Sequence, residues 1–170
     1  MKRLLIIILL STMAYSLKAQ LIHVKGVEGI LTEVNYLKNG FSLGAGYSKM
    51  QTKNIFWKAT AEFHNTKQGF TKTKHFIAFG EAGYNFLNFK QRLFFNVTGG
   101  LGPGVELLKD KIFSSSKSSF VLSESIGLCV DWCPIERLTT SINFRQRFTQ
   151  FNRNGNAYYM IGLIVQYNLN

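Results

Sequence analysis

From residue 26 to residue 170 the hydrophobic pattern repeats every two residues, which restricts the chain to extended structure. Tyr159, Ile161, Leu163, Val165, Tyr167 and Leu169 fall on one side of the last segment, and Gly162, Gln166 and Asn168 on the other. Phe41, Leu43, Ala45 and Tyr47 oppose Ser42, Gly44, Gly46 and Ser48 in the same way. No segment keeps a helical period, and beyond residue 19 no apolar run is long enough for a spanning helix. Turn signals divide the alternation into eight strands, at roughly 27–37, 41–50, 54–64, 75–86, 92–105, 120–132, 137–149 and 156–169. Most are close to the ~9–11 residues that a tilted barrel strand needs to cross a bilayer.

The connections between strands are uneven. KNG (38–40), QTKN (51–54), LNFKQ (87–91) and CPIE (133–136) are short. TKQGFTKTK (66–74), ELLKDKIFSSSKSS (106–119) and QFNRNGN (150–156) are longer and more polar. Apart from the first, short and long connections alternate, as in outer-membrane barrels with long loops outside, and an even strand number returns both termini to the periplasm. The chain begins with Lys2 and Arg3, an apolar run from Leu4 to Leu10 and small or polar residues up to Ala19, the order of a signal peptide cleaved after Ala19. The expected organisation is therefore a signal peptide at 1–19 and one barrel domain at 20–170.

The greasy face of such a barrel points inward in a soluble carrier and outward in a membrane. Here the polar face is rich in Gly, Ser, Thr and Asn and poor in the Lys and Glu pairs of a solvated surface. Tyr47, Trp57, Tyr84, Trp132, Tyr159 and Tyr167 stand mostly near strand ends on the greasy face, where a bilayer interface places aromatic rings. The expected fold is an all-β, eight-stranded, antiparallel, up-and-down transmembrane barrel of the outer-membrane type.

That choice turns Glu33, Lys58, Glu62, Glu81, Arg145 and Arg147 inward, together with Glu106 if the fifth strand continues past Pro103. An Arg on the lipid face at the midplane would cost about 2–4 kcal/mol. Eight strands leave room inside only for side chains, so the arginines require carboxylate partners, and the acids of strands one, three and four are available. Gly44, Gly46, Gly83, Gly100, Gly102, Gly127 and Gly162 face inward and make room for them. Gly102, Pro103 and Gly104 predict a bulge or bend, because Pro103 cannot donate to a ladder. Glu124 has the parity of the greasy face, an exception that a bulge or a place beyond the bilayer edge would resolve.

Little else carries chemistry. His23, His64 and His75 lack metal-ligand spacing, and the glycines lack the helix and Lys-Ser/Thr step of a phosphate loop. His64 with Glu62 is the one faint acid–base pair; no catalytic residue, metal or cofactor is expected. Cys129 and Cys133 on one extended strand are about 13 Å apart, too far to bridge, and read as free thiols. Without Lys2, Arg3 and Lys18 the chain has 17 basic and 9 acidic residues, a charge of +8 that attracts anionic surfaces such as outer-membrane lipid or lipopolysaccharide. No basic stripe interleaved with aromatics points to specific nucleic-acid binding.

The run RLFFNVTGGLGPGVELL (92–108) and the later RQRF (145–148) resemble the TraO family of Bacteroides-type conjugative transposons. Gly99, Gly100, Gly104 and Glu106 match one feature of that family, Arg145 and Arg147 another, and the similarity spans about residues 76 to 170. The resemblance implies a non-enzymatic outer-membrane component of a conjugation apparatus, with other proteins of that apparatus as partners. A general OmpA/OmpX-like barrel serving adhesion or envelope stability is the alternative, and a soluble exported carrier with an apolar interior is the third.

Overall fold

A computed structural model describes residues 24–68, 70–89, 92–110, 116–135, 137–151 and 157–169, without the side chains of Gln68 and Asp110. The expected signal peptide and His23 lie outside the described residues, as do Glu136 of the CPIE turn and 152–156 of the last loop. The strands are β1 (Glu28–Leu37), β2 (Gly40–Met50), β3 (Ile55–Gln68), β4 (Thr71–Phe89), β5 (Leu93–Asp110), β6 (Ser116–Ile135), β7 (Leu138–Gln150) and β8 (Ala157–Asn168). Each pairs antiparallel with the next, and β8 returns to β1 along Gly29↔Asn168 to Leu37↔Met160, closing the barrel without a free edge.

The registers fix the stagger. A row of paired residues leaves β1 at Ile30 and passes through Tyr47, Ala59, Gly80, Leu101, Glu124 and Phe148 to Ala157 on β8, whereas Ile30 itself pairs with Tyr167. The row thus comes back 10 residues along β8, from 167 to 157. Ten residues of shear over eight strands set a strand tilt of about 40°.

Alternation assigns the faces as expected. Tyr159, Ile161, Leu163, Val165 and Tyr167 are exposed on the outer surface, as are Trp57, Tyr84 and Trp132, while Glu33, Asn35, Asn96, Asn143 and Arg147 are buried inside. Tyr47 packs against Trp57 with ring centroids 5.4 Å apart and planes tilted by 51°, near the end that carries the termini. At the opposite end Phe41, Phe63 and Phe76 form a chain of rings, 6.5 and 5.0 Å apart. The apolar outer band therefore has aromatic residues at both levels, as a bilayer demands.

Two expectations are corrected. Most of the segment 66–74 is strand rather than loop: β3 continues to Gln68 and β4 starts at Thr71, with Thr66↔Thr73 and Lys67↔Lys72 paired. Likewise β5 reaches Asp110 and β6 begins at Ser116, so much of 106–119 is strand. The inward/outward alternation simply continues in polar residues, with Thr73 and His75 buried and Lys72 and Lys74 exposed. Four strands, β3 to β6, thus stand taller than the rest.

The second correction concerns Gly102, Pro103 and Gly104, which form neither turn nor bulge. They lie within β5, paired to Ser123, Leu122 and Val121, and the β4–β5 register is the same on both sides of them. The missing Pro103 donor is accommodated where pairing with β4 skips Ala78 and Phe79. The register shifts instead at Phe86, between Asn85 and Leu87, and around Pro134, between Trp132 and Ile135. At the first shift the Asn85 amide donates to the carbonyls of Leu87 and Phe95, each at 3.3 Å, and so bridges the two strands beside the unpaired Phe86. Glu124 involves no bulge: it faces outward and accepts a 2.8 Å hydrogen bond from Gln150, the last residue of β7.

One end of the interior is packed by apolar groups. Val27, Met50 and Phe56 form one buried cluster and Phe94 with Cys133 another, both towards the end with the termini. Cys129 and Cys133 are buried free thiols. The Phe56 ring occupies the space that a side chain on Gly83 would take. Gly83→Val is expected to lower stability by about 1–3 kcal/mol through overpacking, seen as an earlier urea midpoint for the barrel in detergent micelles.

Candidate functional site

Parity alone turns one charged residue after another into the lumen, and the tilt of the strands spreads them along its length. Near mid-height Arg145 of β7 reaches across the barrel to three carboxylates on other strands. Its Nη2 donates to Glu33 Oε2 at 2.5 Å, and Nη1 lies 3.6 Å from Glu81 Oε2 and 3.8 Å from Glu62 Oε1. Two residues on, Arg147 forks onto Glu62: Nη2 donates to Oε1 at 3.0 Å, and Nη1 stands 2.6 Å from Oε2 without the alignment of a hydrogen bond. The Arg147 guanidinium also sits 4.1 Å over the Phe79 ring, which occupies space left by Gly100. Gly127 does the same for the stem of Arg145, since a Cβ there would lie 2.7 Å from its Cγ.

The column continues in both directions. Below Arg145, Lys58 faces Glu81 at 3.7 Å and stands 4.8 Å from the Phe56 ring. Above Arg147, His64 donates through Nε2 to Glu62 Oε2 at 2.8 Å, while the Tyr158 hydroxyl lies 3.2 Å from Nδ1. His75 pairs with His64 across β3 and β4 and bonds Glu106 at 3.3 Å; Ser119 donates to the second Glu106 oxygen at 3.0 Å. All these groups except Tyr158 and Ser119 are buried.

The structure therefore places Glu33, Lys58, Glu62, Glu81, Glu106, Arg145 and Arg147 inside, as the sequence predicts, and joins Glu33, Glu62 and Glu81 to the arginines. Glu106 is held by His75 and Ser119 at the upper end, a partnership that sequence reasoning does not anticipate. It also misses His64 and His75 as members of the column, and Asp131, which accepts from Asn96 at 2.8 Å and from the Cys129 thiol at 3.2 Å. Parity could have found all three, since Asp131 follows Cys129 by two and each His follows or precedes an inward residue by two. Among the described residues no group of three or more His, Cys, Asp or Glu is placed to hold a metal ion.

What the arrangement does chemically is neutralise and fill. Buried ion pairs return little net stability over an apolar packing, but removing one partner is costly. Their larger effect is on register. Sliding β7 by one residue would turn both arginines to the lipid.

The chain is similar in fold to several solved barrels. The N-terminal β-barrel domain of Pseudomonas aeruginosa OprF superposes with a TM-score of 0.66 at 13% identity, covering 85% of this chain and 98% of that one. The fold is the eight-stranded barrel of the outer-membrane type. Neisserial surface protein A gives a TM-score of 0.59 at 11% identity, covering 83% of this chain and 94% of the other. Ail, the attachment invasion locus protein of Yersinia pestis, gives 0.51 at 13%, covering 86% and 100%. No family model and no curated protein matches the sequence.

For an outer-membrane-type barrel with this interior, Arg145→Ala should cost about 3–5 kcal/mol, because three carboxylates lose their common partner. Adding Glu33→Gln should recover part of that loss. Unfolding of Arg145→Ala in urea at the wild-type midpoint would show that the guanidinium faces water.

Proposed function

We propose that this is a non-catalytic barrel of the outer membrane that acts through its surfaces, in adhesion or in stabilising the envelope, with both termini in the periplasm. The filled interior supports this reading. Ion pairs, asparagines and apolar clusters occupy the lumen at the described levels, and eight strands leave no open aqueous channel beside them. Transport through the barrel is thus disfavoured, and the external faces are left as the working parts. The tall strands β3 to β6 add to such a surface on one side of the rim. The likeness to Ail, an attachment invasion locus protein, agrees with an adhesive role.

A second reading rests on the TraO-like residues. Gly99, Gly100, Gly104, Glu106, Arg145 and Arg147 support a place in a conjugation apparatus, with other transfer proteins as partners of the loops or turns. In both readings the barrel is a structural element, and the two differ in what binds it.

The protein should fractionate with the outer membrane, need detergent for extraction and migrate differently on gels before and after heating. Recovery in soluble form from periplasm would sink the membrane proposal. In planar bilayers it should give no conductance steps. Deleting the gene in a donor separates the two readings: an unchanged number of transconjugants leaves adhesion or envelope support, and a drop selects conjugation.

A further inference from the structure

The outward face of β3 to β5 carries a feature that neither ion pairing nor a plain lipid contact explains. Lys67, Lys72 and Lys109 lie in one cross-strand row, Lys67↔Lys72 and Lys72↔Lys109, and Lys74 stands two residues below Lys72 on the same face. All four are exposed. Directly paired side chains have Cβ atoms about 5 Å apart, and like charges so placed repel. The neighbours in the adjoining positions are Asn65, Leu107, Ser116 and Ser118, and among the described residues no acid shares this part of the outer face. Among the described side chains of β3 to β6 the only outward acid is Glu124, which lies lower, opposite Leu101, and is bonded to Gln150.

Immediately below, Phe63, Phe76, Val105 and Phe120 mark the upper edge of the apolar band. Under that edge the surface sinks. Ala45, Ala61 and Ala78 are paired in a row across β2, β3 and β4, and Ala59 with Gly80 make the next row down. Their small side chains floor a shallow groove that continues down beside Tyr47. Lys67 is four residues above Phe63 and Lys74 two above Phe76, so with strands tilted about 40° the lysine side chains stem from about 5–10 Å above the apolar edge. That is the height of lipid headgroups.

We infer that this face binds a phosphorylated lipid of the outer leaflet, such as the lipid A part of lipopolysaccharide, with its phosphates between Lys67, Lys72, Lys74 and Lys109 and acyl chains in the alanine groove. The inference rests on the outer-membrane reading. The charge row supplies the argument for a lipid occupant: four cations with no acid beside them among the described side chains sit on the lipid-facing side of the wall, continuous with an apolar groove, and a soluble polyanion would leave the groove unused. A phosphate among them removes the mutual repulsion, and each Lys near an anionic surface adds a comparable increment of attraction.

The test uses the full chain, purified in neutral detergent, with binding read by native mass spectrometry. The probes are bisphosphorylated lipid A, the same lipid with its phosphates removed, and the deacylated phosphosugar. The doubly substituted Lys72→Gln/Lys109→Gln protein should bind bisphosphorylated lipid A about tenfold or more weakly. Ala78→Trp, which fills the groove from the outside, should weaken the acylated lipid and leave the phosphosugar unaffected. Heat-modifiable gel mobility confirms that each variant is folded. Equal binding of phosphorylated and dephosphorylated lipid A would overturn the proposal, as would phosphosugar binding as tight as that of the whole lipid, which would mark a soluble polyanion site. Fractionation away from the outer membrane would defeat the localisation instead, whatever the micelle experiment shows.

Discussion

The cluster in which Arg145 meets Glu33, Glu62 and Glu81 is the constraint to which the rest of the barrel conforms. It ties β7 to β1, β3 and β4 across the lumen, which neighbouring-strand hydrogen bonds cannot do. Backbone ladders are indifferent to side chains and would accept another register. The cluster would not, because a shift of one residue on any of these strands exchanges a paired buried charge for an unpaired one in lipid. The ion pairs thus act less as a source of stability than as a selection among barrels that the backbone alone could form.

Around this centre the lumen is built in levels. Apolar groups close the end near the termini, where Val27, Met50 and Phe56 meet. An amide level follows, with Asn85 donating to Asn96 at 3.1 Å and Asn96 to Asp131. The charges and then the two histidines complete it towards the tall side. Large inward side chains are matched by glycines on adjacent strands: Phe56 by Gly83, Phe79 by Gly100, Arg145 by Gly127. The high Gly content therefore belongs to the filling of a narrow cylinder rather than to flexible turns.

Strand number, closure and the direction of nearly every side chain were legible in the sequence, because one face of each strand must be apolar in a bilayer and alternation reports that face. Heights were not. Thr71 to Lys74 look like loop by composition, but a strand beyond the bilayer has no apolar face to show and is held by pairing with Asn65 to Gln68 on one side and Leu107 to Asp110 on the other. The position of the bulge was hidden as well. Pro103 had the stronger signal, yet a proline can be absorbed by a skipped pair, while Phe86 carries no mark except the neighbouring Asn85. Neither metal-ligand spacing, which His64 and His75 lack, nor the faint acid–base pairing of His64 with Glu62 marks these residues or Asp131 as part of the site, but their parity with Glu62, Thr73 and Cys129 places all three inside.

The Arg145–Glu33 pair joins positions 112 residues apart in the chain. An incomplete sheet of β1 to β6 would hold Glu33, Glu62 and Glu81 with Lys58 as their only buried permanent cation, and the arginines arrive only with β7. Charge compensation and ring closure are thus late events that depend on each other, which gives the chain a high contact order and a slow final step. A truncated barrel would then be a poor lipid solute as well as an open sheet. The membrane itself would discriminate between finished and unfinished molecules.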